Sequence, residues 1–220
     1  DTDTEIRVAV FTGSGDDAFS AGADIKDFDR NRDDSTKAKV YAEAFDGALE
    51  AIDHLSKPTV SLIKGFCVGG GCELALATDI RIAADNSQFG IPIARLGILL
   101  GYREMQRLAN LVGPGNAAYL LLTGRLLDSQ NALRIGLIHN IVTLDDIQDV
   151  TYDLATEMAN LAPLSHKRNK QILRTILSNP SLAGLTHTEK DLPFTNFDSE
   201  DFQEGYAAFL ERRTPIFRGK

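Results

Sequence analysis

Apolar positions along this chain keep two rhythms. Ile6-Arg-Val-Ala-Val-Phe-Thr12 is a short β-branched run stopped by Gly13-Ser-Gly15, which predicts a buried strand followed by a loop. Val40, Ala44, Phe45, Ala48, Leu49 and Ile52 then recur at helical spacing. They predict a helix from Ser35 to about His54, with Ser35 as its N-cap and Lys57-Pro58 beyond its end. Thr59-Val-Ser-Leu-Ile63 returns to the strand rhythm, a glycine run follows, Cys72-Glu-Leu-Ala-Leu-Ala77 begins a second helix, and Ile80-Arg-Ile-Ala83 is a further strand. Strands alternating with helices imply parallel strands joined by crossovers, an α/β fold, and such sheets bind ligands beyond the carboxyl ends of their strands. From about Gly101 the pattern is mainly helical, with segments near 101–112, 114–122, 129–135, 145–161 and 164–178 and a short strand from Leu137 to Val142. Asp128 or Ser129 is placed to cap one of these helices and Thr143 or Asp145 another. Phe202, Tyr206, Phe209 and Leu210 make the last segment an amphipathic helix that stops before Pro215, and its apolar stripe must bury against something.

A chain of 220 residues with 43% hydrophobic content fits one large domain, or a domain with a small appendage, and can bury a proper core. The excess of 31 acidic over 23 basic residues, a formal charge of -8, argues against nucleic acid or an anionic membrane surface as a partner. Apolar runs break well before the roughly 18 residues of a membrane span, and Asp1-Thr-Asp-Thr-Glu5 is unlike a signal peptide. The expectation is a soluble, cytoplasmic protein. Cys67 and Cys72 make no disulfide framework, and read as buried reduced thiols. His54, His139, His166 and His187 are scattered without metal-ligand spacing, so each is expected to be structural or exposed and no metal is implied.

Several kinds of chemistry are excluded by what the glycine runs lack. Gly13-Ser-Gly15 has no third glycine for a dinucleotide fingerprint, no Gly-Lys-Ser/Thr follows any glycine run, and no Gly-x-Ser-x-Gly elbow occurs. Two stretches remain, Phe19-Ser-Ala-Gly-Ala-Asp24 and Gly65-Phe-Cys-Val-Gly-Gly-Gly-Cys-Glu73. Without Cβ atoms, Gly22 and Gly69 to Gly71 let the main chain turn sharply and a ligand approach the amides, and fixed N–H donors of this kind stabilise a developing oxyanion. Glu73 stands just inside the helix start in apolar company. It is open to two readings, a first-turn acid that offsets the helix dipole or a general acid or base with a pKa raised by burial.

Together these stretches resemble the enoyl-CoA hydratase/isomerase family, the crotonase superfamily. Gln106-Arg-Leu108, Thr123-Gly-Arg125 and the ending Glu204-Gly-x2-Ala-Phe-x-Glu-x-Arg-x-Pro-x-Phe-x-Gly-Lys220 extend the likeness over nearly the whole chain. The resemblance implies a crotonase-like ββα-superhelix core over residues 1–142 and a helical oligomerisation region over 143–220 that packs homotrimers or hexamers. It implies an acyl-CoA substrate, with CoA as part of that substrate and no other cofactor. The N–H groups of Ala23 and Gly70 would form the oxyanion hole, Glu73 would carry the proton chemistry, Ala21, Asp24 and Ile25 would lie beside the CoA adenine, and Lys26 would meet a phosphate. Hydration or dehydration of an enoyl-CoA ranks first. Double-bond isomerisation, decarboxylation or thioester hydrolysis, and a catalytically reduced acyl-CoA-binding subunit are the alternatives.

Two departures from the family pattern matter. The family's second glutamate follows the proline of a Phe-x-x-Pro-Glu stretch, which here reads Phe89-Gly-Ile-Pro92-Ile93. Ile93 cannot transfer a proton, so it is left as a pocket-shaping residue, and the atypical Gly101-Tyr-Arg-Glu104 segment offers Glu104 or Tyr102 as substitutes. The bland expectation for Glu104 is an exposed acid at a helix start. The second departure is an initial hairpin and helix of the family that do not precede the first strand here.

Overall fold

The computed structural model describes residues 1–220, the side chains of Asp29 and Asn31 excepted. Eight strands fall into two four-stranded sheets. One sheet runs in the order β1 (Ala9–Thr12), β3 (Thr59–Ile63), β5 (Ile80–Ala84), β8 (Asn140–Val142), and the other in the order β2 (Ala18–Ser20), β4 (Phe66–Val68), β6 (Gln88–Gly90), β7 (Leu127–Asp128). The β3–β5, β5–β8, β2–β4 and β4–β6 pairs are parallel, and the β6–β7 pair is antiparallel. Inner parallel strands have both faces covered, which is why Thr-Val-Ser-Leu-Ile reads as a continuous run and is buried at every position. Its two hydroxyls are satisfied inside: Thr59 shares hydrogen bonds with Asp79, and Ser61 with Thr78.

Among the helices, α1 (Phe28–Asn31) and α2 (Ser35–Asp53) follow β2, and α3 (Gly70–Leu76) follows β4. α4 (Tyr102–Thr123) and α5 (Ser129–Arg134) come later, then α6 (Ile147–Ala159), α7 (Pro163–Ser178), α8 (His187–Asp191) and α9 (Glu200–Glu211). Two compact units result, one of Val10–His54 with Thr59–Tyr152, the other of Asp1–Ala9, Leu55–Pro58 and Asp153–Lys220. The core of the first gathers Phe19, Ile63, Cys67, Cys72, Phe89 and Leu108. Both cysteines are buried and free, and burial pushes the Cys67 thiol well up, so they are packing residues as expected. In the second unit, Asp201 on α9 accepts from the N–H groups of Arg218 and Gly219 and so ties down the C-terminal segment.

Several local expectations are corrected. The first strand covers Ala9–Thr12 only, not the whole run from Ile6. Asp34, not Ser35, caps α2, because its carboxylate accepts from the N–H groups of Thr36 at 2.7 Å and Lys37 at 2.9 Å while Ser35 is already helical. The second helix begins at Gly70, two residues before the cysteine expected to open it. The break anticipated between 112 and 114 is present inside α4 as a single non-helical residue, Gly113, ahead of Pro114.

Candidate active site

Strands β2 and β4 lie side by side and parallel, Ser20 opposite Cys67, so the two glycine-bearing loops leave the sheet at the same end. Their approach is close. Gly22, at φ +93°, is in the region that favours glycine, and a Cβ there would stand 3.0 Å from the Val68 carbonyl and 3.2 Å from the Gly70 nitrogen. A Cβ on Gly71 would stand 2.3 Å from the Ser20 carbonyl oxygen, so the first turn of α3 can rest against β2 only without a side chain at that position. Two hydrogen bonds brace the loops: Gly22 N–H donates to Ser20 Oγ and Gly69 N–H to the Gly90 carbonyl at 2.8 Å. Gly70 is the first residue of α3, and its N–H, like that of Ala23, takes no acceptor among the described residues.

The far end of α3 is held by a buried guanidinium. Arg81 on β5 donates from Nη1 to the carbonyls of Thr78 at 2.5 Å and Ala75 at 3.3 Å, and from Nε to the Leu137 carbonyl at 2.8 Å. Carbonyls at a helix end have no intrahelical donors, so this cation satisfies them and fixes the helix that carries Glu73. Burial pulls the Arg81 pKa down to about 10, with the Asp79 charge opposing, and the residue remains charged at neutral pH.

A cavity of about 490 Å³ opens onto both loops. Ala21, Gly22 and Ala23 from the first loop and Gly69, Gly70 and Glu73 from the second face it, and Phe45, Ile93 and Leu100 supply apolar wall. Arg32 also faces it, stacked 3.3 Å from the ring centroid of Tyr41 and 4.9 Å from that of Phe28. Glu73 is half-buried there, and its pKa rises from 4.5 to about 7. Burial is the main cause, the negative charge of Glu104 adds to it and that of Asp46 less so, while Arg32 opposes. Desolvation of this kind raises a carboxyl toward the range in which it can exchange protons at neutral pH, whereas the helix start alone would lower it.

The remaining expected residues are distributed as follows. Ala21, Ile25 and Ile93 line the cavity. Asp24 and Lys26 are exposed and outside that lining, with the Asp24 carboxylate accepting from the Lys26 N–H at 2.9 Å to start a short 3-10 turn, Ile25–Asp27. Tyr102 is 98% exposed and does not face the cavity. Glu104 corrects its expectation: it is only 4% exposed and lines the same cavity as Glu73. The sequence carried a signal for it in the departure from pattern at 101–104, but nothing in helical spacing distinguishes an inward acid from an outward one at a helix start. Among the described residues no cluster of His, Cys, Asp or Glu is arranged to hold a metal ion, and no helix is long and apolar enough to cross a membrane.

Two sheets built mainly of parallel pairs, with two glycine loops and a half-buried carboxylate on one cavity, make up the crotonase fold. A solved enoyl-CoA hydratase/carnithine racemase from Magnetospirillum magneticum superposes with a TM-score of 0.95 at 33% identity, over 100% of this chain and 81% of that one. The chain belongs to the enoyl-CoA hydratase/isomerase family, whose model matches residues 1–220. It is 36% identical over 222 residues to a carnitinyl-CoA dehydratase of Citrobacter koseri, covering 99% of this chain and 84% of the relative. It is also 36% identical over 217 residues to a probable enoyl-CoA hydratase of Mycobacterium tuberculosis, covering 99% and 82%.

Proposed function

We propose that this protein adds water to an enoyl-CoA thioester, and removes it in reverse, through an oxyanion hole and Glu73. The observation that carries the reading is the half-buried Glu73 carboxyl, its pKa raised to about 7, in a cavity shared with two loops whose Ala23 and Gly70 N–H groups are unengaged. Both N–H groups donate to the thioester oxygen. As the water oxygen bonds to Cβ, the Cα=Cβ electron pair moves toward that oxygen, and the fixed donors stabilise the enolate that forms. Ionised Glu73 orients the water and takes its proton, and a proton is then returned to Cα, so that OH and H are added across the double bond. Ala21, Asp24 and Ile25 serve the adenine end of CoA, Lys26 a phosphate, and Ile93 the acyl chain. CoA enters as part of the substrate. The names of the two relatives, a dehydratase and a hydratase, support this direction of chemistry. Residues 143–220 serve assembly in this reading, as a homotrimer or hexamer.

Loss of conjugated-thioester absorbance from crotonyl-CoA and longer enoyl-CoAs tests it. Wild type turns over, Glu73→Gln loses on the order of 10²- to 10⁴-fold, and Gly70→Pro, which deletes a donor, is inactive. Equal rates for wild type and Glu73→Gln remove Glu73 from the mechanism. Acyl-CoA binding without turnover of any enoyl-CoA makes the protein a binding subunit instead.

A further inference from the structure

The reaction above leaves Glu104 unused. It stands in the first turn of α4, where an acid turned to solvent would simply offset the helix dipole, yet it is 4% exposed. Its Oε1 is buried without any hydrogen-bond partner. An orphaned carboxyl oxygen in an apolar surrounding is costly, and native proteins rarely keep one that is neither paired nor used. Asp46 also lines the cavity, but it is only half-buried and none of its oxygens is orphaned in this way. The neighbouring backbone makes room for the carboxyl: a Cβ on Gly101 would stand 2.2 Å from Glu104 Oε2. Its charge reaches the other carboxylate of the cavity, since after burial it is the largest influence raising Glu73.

We propose that Glu104 is a second proton-transfer residue of this cavity, the one that exchanges a proton with Cα of the acyl-CoA, while Glu73 handles the water at Cβ. The proposal rests on the enoyl-CoA reading for the identity of the substrate. In hydration, Glu73 takes one proton from water as the oxygen–Cβ bond forms and the Cα=Cβ pair shifts to the thioester oxygen. The enolate then collapses, a Cα–H bond forms with the proton of the Glu104 carboxyl group, and the O–H pair stays on Glu104 as the carboxylate. Water is added across the double bond, and transfer of the proton from Glu73 to Glu104 through solvent resets the pair. The side chain at position 93 is apolar, and the missing carboxylate is supplied from α4.

The two roles separate on a substrate that cannot be hydrated. Butyryl-CoA has no double bond, so replacement of its Cα hydrogen by deuterium from D2O, followed by NMR, reports the Cα step alone. Wild type exchanges that hydrogen, Glu104→Gln slows the exchange at least about 100-fold with butyryl-CoA affinity unchanged, and Glu73→Gln keeps it. Gly101→Ala, whose methyl displaces the Glu104 carboxyl, slows exchange as well and decides the matter if Glu104→Gln does not fold. Wild-type exchange rates in Glu104→Gln overturn the proposal, and so does a wild type that exchanges nothing. Exchange without hydration of any enoyl-CoA removes the proposed reaction and leaves Glu104 at Cα, whereas hydration with exchange indifferent to Glu104 does the reverse.

Discussion

Glu73 ties the proposed chemistry to stability at a single residue. Because its carboxyl is displaced upward in the folded protein, the native state holds a proton between pH 4.5 and about 7 that the unfolded chain releases. Native protein therefore binds more protons than unfolded in that window, and stability falls as pH rises through it, levelling off above about 7. The displacement corresponds to roughly 3 kcal/mol as an upper bound. Urea unfolding of wild type and Glu73→Gln measures it: the variant gains on wild type from pH 4.5 to pH 8, and a pH-independent difference sinks the argument. Glu73 was visible in the sequence because its signal is local, a carboxylate directly after Gly-Gly-Gly-Cys. Its ionisation was not visible, since it is set by burial and by Arg32, Asp46 and Glu104, which the chain brings in from other elements.

At the scale of elements, the site is an alignment of two loops across one pair of strands. Gly71 is the contact that sets it, and Gly71→Ala drives a methyl into the Ser20 carbonyl and pushes α3 from β2. Enoyl-CoA hydration is expected to fall by on the order of 100-fold, a loss of transition-state donors rather than of substrate binding, with far-UV circular dichroism unchanged. A rise in KM alone, with kcat intact, would contradict that account. α2 was legible because its period repeats over 19 residues, and β3 because its five residues form one continuous run rich in β-branched and apolar side chains. β2, β4 and β6 were not, since a run of three residues has no period, and Ala18–Ser20, Phe66–Val68 and Gln88–Gly90 become strands only by pairing with one another. The N-cap of α2 fell one residue from its expected place because Asp34 and Ser35 are both good caps, and which one stays non-helical is decided by backbone conformation.

For the whole molecule, the apolar stripe on α9 bears on assembly. Tyr206, Phe209 and Leu210 are exposed, Phe209 to 81%, in a segment read from its spacing as needing cover. Size-exclusion chromatography with light scattering is expected to return three or six times the single-chain mass, and Phe209→Asp to lower it; a monomeric wild type refutes the assembly. Family membership, the α/β class, the two glycine loops and Glu73 were determined by the sequence itself, because each is written in contiguous residues whose backbone demands are local. Only the tertiary structure decided that Glu104 turns inward, that it shares a cavity with Glu73 although thirty-odd residues of chain separate them, and that Tyr102 does not. Burial is a property of everything packed around a side chain, and a helix start presents the same spacing to the reader whether its acid faces open water or an internal cavity.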